Sequence, residues 1–363
     1  MNINFFFWFV NSFTILFLIS PLFLITSYKI VLFLTIILPA VIVFLFIYFS
    51  LPQSSSPVDQ FENITIAHRG GHPSNNCDNE TDFPENTMAA YRWASTTEGA
   101  DGIELDVWLS KDGIAMINHD GYLEHTFANC REYLSSLTCE QLKNLRYFKK
   151  NKRDIYDQIG CEVIPTLEEV ILFLEPTKLK LSTFLSFFQF NCIFLFLCSL
   201  VIEIKETQRI PQMAKIIDEL FQRYPFLYTR AYCAAFHPYN IYCIRRLNPR
   251  ITTALLFVSN LTTYLVANAS QTLRPSSPYF VENVILRWAI DSILMWFGSP
   301  MGLKFLGANI ACIERRQISQ NLIEEYQKSK IIVSAWCVNE PEQHRWLKSK
   351  GVTIITDTLF HID

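Results

Sequence analysis

The chain has 363 residues, half of them hydrophobic and 30 of them Phe, with a formal net charge of −3 at pH 7. That is ample apolar material for one large domain, and the near balance of charge argues against a nucleic-acid partner. Its ten cysteines include no Cys-x-x-Cys pair, which leaves little case for zinc or thioredoxin-like redox chemistry and fixes no disulfide connectivity.

From Phe5 to Leu51 the only charged side chain is Lys29. This run has room for spans of about 20 residues at Phe5 to Ile25 and Ile30 to Phe49, so residues 1–51 are expected to be a membrane anchor of one or two spans. A cleaved signal peptide is the competing reading, but its n-region would have no Lys or Arg and its apolar part is too long. Residues 52–63, opening on Pro52 to Pro57 with three serines between, read as a linker. Asn63-Ile64-Thr65, Asn79-Glu80-Thr81, Asn260-Leu261-Thr262 and Asn268-Ala269-Ser270 match the N-glycosylation pattern. They predict a luminal or extracellular catalytic domain on an endomembrane or the plasma membrane, a setting in which cysteines can pair.

Residues 64–363 alternate short β-branched runs with helical patterns. Strands are expected at Ile64 to His68, Ile103 to Leu109, Ala115 to His119, Val201 to Lys205, Tyr232 to Phe236, Thr252 to Phe257, Asn309 to Ile313, Ile331 to Trp336 and Val352 to Thr356. Helical patterns such as Glu168 to Glu175, Ile210 to Arg223 and Asn321 to Ser329 fall between them. The alternation predicts an α/β fold of the TIM-type (β/α)8 barrel class, preceded by the transmembrane anchor. Nine runs compete for eight places, so one of them is not a barrel strand.

The chemistry is concentrated between His68 and Asp120. The i, i+2 spacing of Glu104 and Asp106 puts both carboxylates on one strand face, and Glu203 and Lys205 repeat the arrangement downstream. Buried charges need a partner or a metal. Three carboxylates converging at strand ends would form an all-oxygen site for one divalent cation, Mg²⁺ or Ca²⁺. Arg69 and Lys205 would hold a phosphate. Taken singly, His68 and His119 read as ordinary histidines, and Glu85-Asn86-Thr87 as a helix start with Asn86 as a cap. Together, and at the C-terminal ends of strands where such barrels build their sites, they read as parts of a metal-assisted phosphodiester site.

The ordered series Ala67-His68-Arg69-Gly70-Gly71, Pro84-Glu85-Asn86-Thr87, Gly99 to Val107, Lys111-Asp112-Gly113, His119-Asp120, Ile164-Pro165-Thr166-Leu167, Ile202 to Lys205, Ala335 to Asn339 and Ile355-Thr356-Asp357 resembles the glycerophosphodiester phosphodiesterase family, its membrane-bound animal members above all. The resemblance runs from about Ile64 to the C-terminus. It departs from the usual pattern at Cys337, where the family has Thr after the Trp, at Ala235 before Phe236, and at Thr358 after Asp357. The resemblance implies hydrolysis of a glycerophosphodiester to sn-glycerol 3-phosphate and an alcohol. It implies that Glu104, Asp106 and Glu203 ligate the metal, that His68 and His119 are the acid/base pair, and that Arg69 and Lys205 bind phosphate. Glu85 and Asn86 are placed nearby, orienting His68 or Arg69, with Trp336 as a wall for the glycerol moiety.

Two later segments bear on membranes. Val281 to Phe297 is apolar but carries Glu282, Arg287 and Asp291, the last two at i, i+4, which suits a helix lying at a lipid interface. Leu181 to Leu200 carries no charge and stands directly before the Glu203 strand. A true span there would part Glu203 and Lys205 from the other site residues, so this apolar insertion reads as intron sequence carried into the translated chain, or as a lipid-touching loop on the barrel's N-terminal face. Three functional readings follow. The first is hydrolysis of deacylated glycerophosphodiesters such as glycerophosphoinositol. The second is lysophospholipase D action on lysophospholipids or N-acyl-lysophosphatidylethanolamines, and the third is an inactive membrane scaffold for a signalling partner.

Overall fold

The computed structural model describes residues 37–72, 83–97, 99–127, 130–147, 162–175, 199–262 and 283–359. It divides into two compact units, Met1–Ser50 and Leu51–Asp363. In the first, Leu38–Phe49 is a 12-residue helix with a proline in its first turn, where the missing N–H costs nothing. At 1.5 Å per residue it is about 18 Å long, against about 30 Å of hydrocarbon in a bilayer. Among the described residues no helix is long and apolar enough to cross a membrane. The Phe5 to Ile25 span lies outside the described residues, as does the start of the second.

In the second unit eight parallel strands close on themselves. They are β1 (Thr65–His72), β2 (Gly102–Leu109), β4 (Ser199–Ile204), β5 (Ala231–Ala235), β6 (Thr253–Phe257), β7 (Ile310–Glu314), β8 (Ile332–Trp336) and β9 (Thr353–Thr358). Closure comes from β1, which pairs with β9 on one side and β2 on the other. The ninth expected strand, β3 (Ala115–Ile117), is the one outside the barrel, because it runs antiparallel to β2. Only Ser110 to Ile114 join the two, too short a connection for a crossover helix, so a hairpin forms. Ser110 Oγ ties that turn, donating to Asp112 Oδ1 at 2.6 Å and accepting from the Ile114 N–H at 2.8 Å. The chain then builds a small apolar cluster from Met116, Leu123, Phe127, Leu134, Leu142 and Ile164 before the helix Leu167–Leu174 opens on a Thr166 to Glu169 capping box.

The period-2 alternation of the strands separates two cores. Outward residues such as Ile103, Leu105, Val107, Leu200, Ile202 and Ile204 pack under the helices. Inward residues Ile66, Val201, Tyr232, Ala254, Ile310 and Ile355 fill the barrel, plugged at its N-terminal end by Phe61. The next inward positions along β1, β2 and β4 are His68, Glu104, Asp106 and Glu203, so an apolar floor carries a charged rim.

Two boundaries need correction. The Ser199 N–H donates to the Asp101 carbonyl, and Leu200 stands opposite Ile103 in β2, so the last two residues of the expected insertion belong to β4. Residues 181–198 lie outside the described residues. The helix expected at Val281 to Phe297 is observed as Val284–Gly298, with Val284, Ile285, Leu286, Trp288 and Ile293 exposed. Asp291 does not share an exposed polar face with Arg287, because its carboxylate is buried and accepts a 2.8 Å hydrogen bond from the Thr262 N–H. The described cysteines, Cys130, Cys139, Cys233, Cys243, Cys312 and Cys337, are free thiols.

Candidate active site

In register, Asp106 of β2 stands opposite Glu203 of β4. Glu104, Asp106 and Glu203 are all buried, and one carboxylate oxygen of each lies within 4.8 Å of the others. Glu104 Oε1 is buried with no hydrogen-bond partner. An orphaned carboxylate oxygen facing two more carboxylates costs several kcal/mol unless a cation meets it. The donor set therefore fits a hard divalent ion. Burial, then the neighbouring Asp106, pushes the Glu104 carboxyl up to about 8. Burial acts in the same direction on Asp106, but Lys205, His119 and Arg69 outweigh it and hold that carboxyl well below the usual range. Lys205 Nζ lies 3.1 Å from Asp106 Oδ1 and also contacts Glu203 Oε1.

Beside the carboxylates, β1 turns sharply. Arg69 has a left-handed φ of 52°, a conformation that costs a non-glycine residue about 1 kcal/mol or more. The turn aims its backbone N–H at Glu104 Oε2, 2.8 Å away, and its guanidinium at Glu85 Oε1, 2.9 Å away. Gly70 follows with a φ of 90°, and a Cβ there would meet the Ala90 Cβ at 2.6 Å. Glu85 thus holds the Arg69 guanidinium. Asn86 does something else. The helix Met88–Thr96 is capped by Thr87, whose side chain accepts from the Ala90 N–H. The buried Asn86 side chain instead donates to Asp106 Oδ2 at 2.8 Å and accepts from Tyr91 Oη at 2.9 Å. The side chain thus holds a carboxylate, while the Asn86 backbone N–H donates to the Arg69 carbonyl at 2.9 Å.

His68 is held from the far side of the barrel seam. Its Nδ1 lies 2.5 Å from Asp357 Oδ1, and Nε2 lies 3.9 Å from Glu104 Oε2. Asn339 Nδ2 donates to Asp357 Oδ2 at 2.6 Å. Burial alone would lower the His68 pKa, but Cys337 and Asp357 overcome it and raise the imidazole well above its ordinary value. His119 sits just beyond β3, where the Asn118 N–H bonds the Asp106 carbonyl at 3.0 Å, and its Nδ1 lies 2.8 Å from Asp120 Oδ1. Trp336 ends β8 on the inner wall, its indole N–H donating to the Cys312 carbonyl and its ring edge-on to Phe236, over which Lys205 Nζ stands at 5.8 Å. Every residue expected at the site is on this rim or against it. Asp357, Asn339 and Tyr91 are the partners that sequence reasoning missed. Asp357 was visible as an inward-parity acid at the end of the last strand, next to the first.

Comparison with known proteins decides which barrel this is. Residues 68–359 match the glycerophosphoryl diester phosphodiesterase family. The chain belongs to that family. It is thus a phosphoric diester hydrolase, of a family whose enzymes generally use a divalent metal, and its acidic cluster can bind one. Mouse glycerophosphodiester phosphodiesterase 1 is 25% identical over 304 residues, covering 81% of this chain and 77% of the relative. A Bacillus altitudinis glycerophosphodiester phosphodiesterase is 32% identical over 192 residues, covering 53% of this chain and 65% of the relative. Among solved structures, an Oleispira antarctica phosphodiesterase in complex with the product sn-glycerol-3-phosphate aligns with a TM-score of 0.54 at 19% identity, covering 85% and 94% of the two chains. A glycerophosphodiester phosphodiesterase from Parabacteroides distasonis aligns with a TM-score of 0.53 at 20% identity, covering 82% and 94%. These last two likenesses concern the barrel.

Proposed function

We propose that this family member hydrolyses glycerophosphodiesters to sn-glycerol 3-phosphate and an alcohol, with a divalent cation held by Glu104, Asp106 and Glu203. The observation that carries the reading is the buried carboxylate trio with its orphaned Glu104 oxygen, flanked by two cations and a fixed imidazole. When bound, the metal supplies positive charge against the phosphodiester anion. Lys205 and Arg69 add to that field, and because Asp106, Glu203 and Glu85 fix their positions, little reorganisation is needed as charge develops.

Proton transfer falls to the histidines. Asp357 accepts from the His68 Nδ1–H, which leaves Nε2 turned toward the carboxylates and free to exchange a proton there. Asp120 fixes His119 in the same way from the opposite loop. One imidazole accepts a proton from the attacking oxygen while the other donates to the leaving alkoxide. The same residues serve a water nucleophile or the substrate's own 2-hydroxyl, and a cyclic phosphate product tells the two apart. Trp336 and Phe236 offer an apolar wall to the glycerol carbons.

The test is turnover by the purified full chain, supplied with glycerophosphoinositol or glycerophosphocholine and Mg²⁺ or Ca²⁺. Release of glycerol 3-phosphate that stops on chelation and is lost in His119→Ala supports the reading; unchanged release in that variant sinks it. The exposed apolar residues of the Val284–Gly298 helix favour a second reading, cleavage of lysophospholipids in the manner of a phospholipase D at a membrane surface. Product formation from lysophospholipid alone would move the assignment there, with the same metal ligands and histidines.

A further inference from the structure

A second group of potential metal ligands adjoins the carboxylate trio. His68, Cys337 and Asp357 each offer one donor atom, and these atoms lie within 4.8 Å of one another. Cys337 Sγ is 3.5 Å from His68 Nδ1 and Asp357 Oδ1 is 2.5 Å from the same nitrogen. Zinc bonds of about 2.3 Å to sulfur and 2.0–2.1 Å to nitrogen, set at a tetrahedral angle, separate the two donors by about 3.5 Å. The sulfur and nitrogen are at that spacing, but Sγ also lies 3.8 Å from Nε2, so the thiol must swing toward the Nδ1 lone pair by about 1–2 Å, and the aspartate outward by about 1 Å, to close on one ion. All three residues are partly exposed, whereas Glu104, Asp106 and Glu203 are fully buried, so an ion reaches the first group directly from solvent.

The two donor sets differ in kind. Three carboxylates suit Mg²⁺ or Ca²⁺, while a thiolate with an imidazole selects softer ions of the zinc type. The sulfur is what makes the difference, and it stands where the resemblance calls for Thr, whose hydroxyl is a poor zinc ligand. We propose that His68, Cys337 and Asp357 form an inhibitory site for a thiophilic divalent ion such as Zn²⁺, separate from the carboxylate site. Three protein ligands leave the fourth position to water, an arrangement zinc accepts readily. Binding releases the Cys337 thiol proton and takes the Nδ1 lone pair of His68, displacing the proton that Asp357 holds there. An imidazole bound to metal through Nδ1 carries its remaining proton on Nε2, so it has no lone pair with which to accept another. The residue proposed as half of the acid/base pair is thereby silenced while the carboxylate site keeps its own ion. The inhibitory consequence rests on the role proposed above for His68; the binding does not.

The experiment uses Co²⁺ as an optical substitute for Zn²⁺ on the full chain with Mg²⁺ in excess and no substrate. One equivalent should produce a thiolate-to-cobalt charge-transfer band in the near ultraviolet that Zn²⁺ abolishes. The band should vanish in Cys337→Thr and persist in Glu203→Gln, whose thermal midpoints report that each variant is folded. In turnover assays Cys337→Thr should need at least about 100-fold more Zn²⁺ for half inhibition than the wild type does. A band that survives Cys337→Thr, or a wild type without one, overturns the site. Equal zinc sensitivity of the two proteins overturns its inhibitory role. Because the band is read without turnover, it stands or falls independently of the proposed reaction.

Discussion

Asp357 on β9 meets His68 on β1 with 2.5 Å between Oδ1 and Nδ1, so the last strand of the barrel fixes the imidazole of the first. Burial presses the Asp357 carboxyl upward, but the bond to His68 outweighs it and keeps the group ionised and accepting. Asp357→Ala should therefore lower kcat by about 10- to 100-fold with little change in KM, since it frees the ring without touching substrate. The pH–rate limb belonging to His68 should move to lower pH, because one of the groups raising its pKa is gone. Steady-state kinetics from pH 5 to 9 measure both, and an unmoved limb would show that Asp357 does not act through His68.

Glu104→Gln separates the energetic cost of the site from its use. The Glu104 carboxyl is pushed up to about 8 by burial and by Asp106, a strain on the metal-free fold that a neutral amide does not carry. The variant should lose at least about 1000-fold in turnover, on the scale of removing a transition-state stabiliser. Its thermal midpoint in chelator should equal or exceed that of the wild type. A fall of several degrees would mean that Glu104 is chiefly a structural residue.

How much of this was legible from the chain depends on the range over which each signal acts. The i, i+2 pairs Glu104/Asp106 and Glu203/Lys205 announce a shared strand face because period 2 is a local rule. The surplus strand at Ala115 was countable, but its antiparallel direction depends on the short Ser110 to Ile114 turn, which a run of β-branched residues does not reveal. Asp357 and His68 are 289 residues apart and meet only through closure of the barrel, so no local pattern joins them. Asn86, which taken singly reads as a helix cap, is ambiguous for the opposite reason. Thr87 competes for the same cap one residue later, and only the tertiary position of Asp106 and Tyr91 decides which side chain turns away.

That position makes Asn86 a stability determinant as well. It has a left-handed φ of 58°, which Asn tolerates better than most residues, and it links Asp106 to Tyr91 in a fully buried bridge. Asn86→Ala removes a donor from a buried carboxylate and an acceptor from a buried hydroxyl. A loss of about 2–4 kcal/mol in unfolding free energy follows from taking the Tyr91 hydroxyl's acceptor and one of the Asp106 carboxylate's donors away in a buried place. Urea denaturation measures it, and a change below about 0.5 kcal/mol, the usual range for surface substitutions, would show that water takes the amide's place.

Outside the set of site residues, His344 in the helix Pro341–Lys348 should make stability depend on pH. Burial, then the nearby Lys348, lowers its pKa to about 4. The unfolded chain takes up this proton near pH 6.5, but the folded protein does not until about pH 4. Between those values the unfolded state binds the extra proton, so stability rises with pH across the window and is lost progressively as pH falls from about 6.5 through about 4. One such proton gives a slope of about 1.4 kcal/mol per pH unit. His344→Gln removes it, so the pH dependence of urea unfolding between pH 4.5 and 6.5 should be shallower in the variant by about that amount. Parallel curves for the two proteins would show that the imidazole is protonated in the fold.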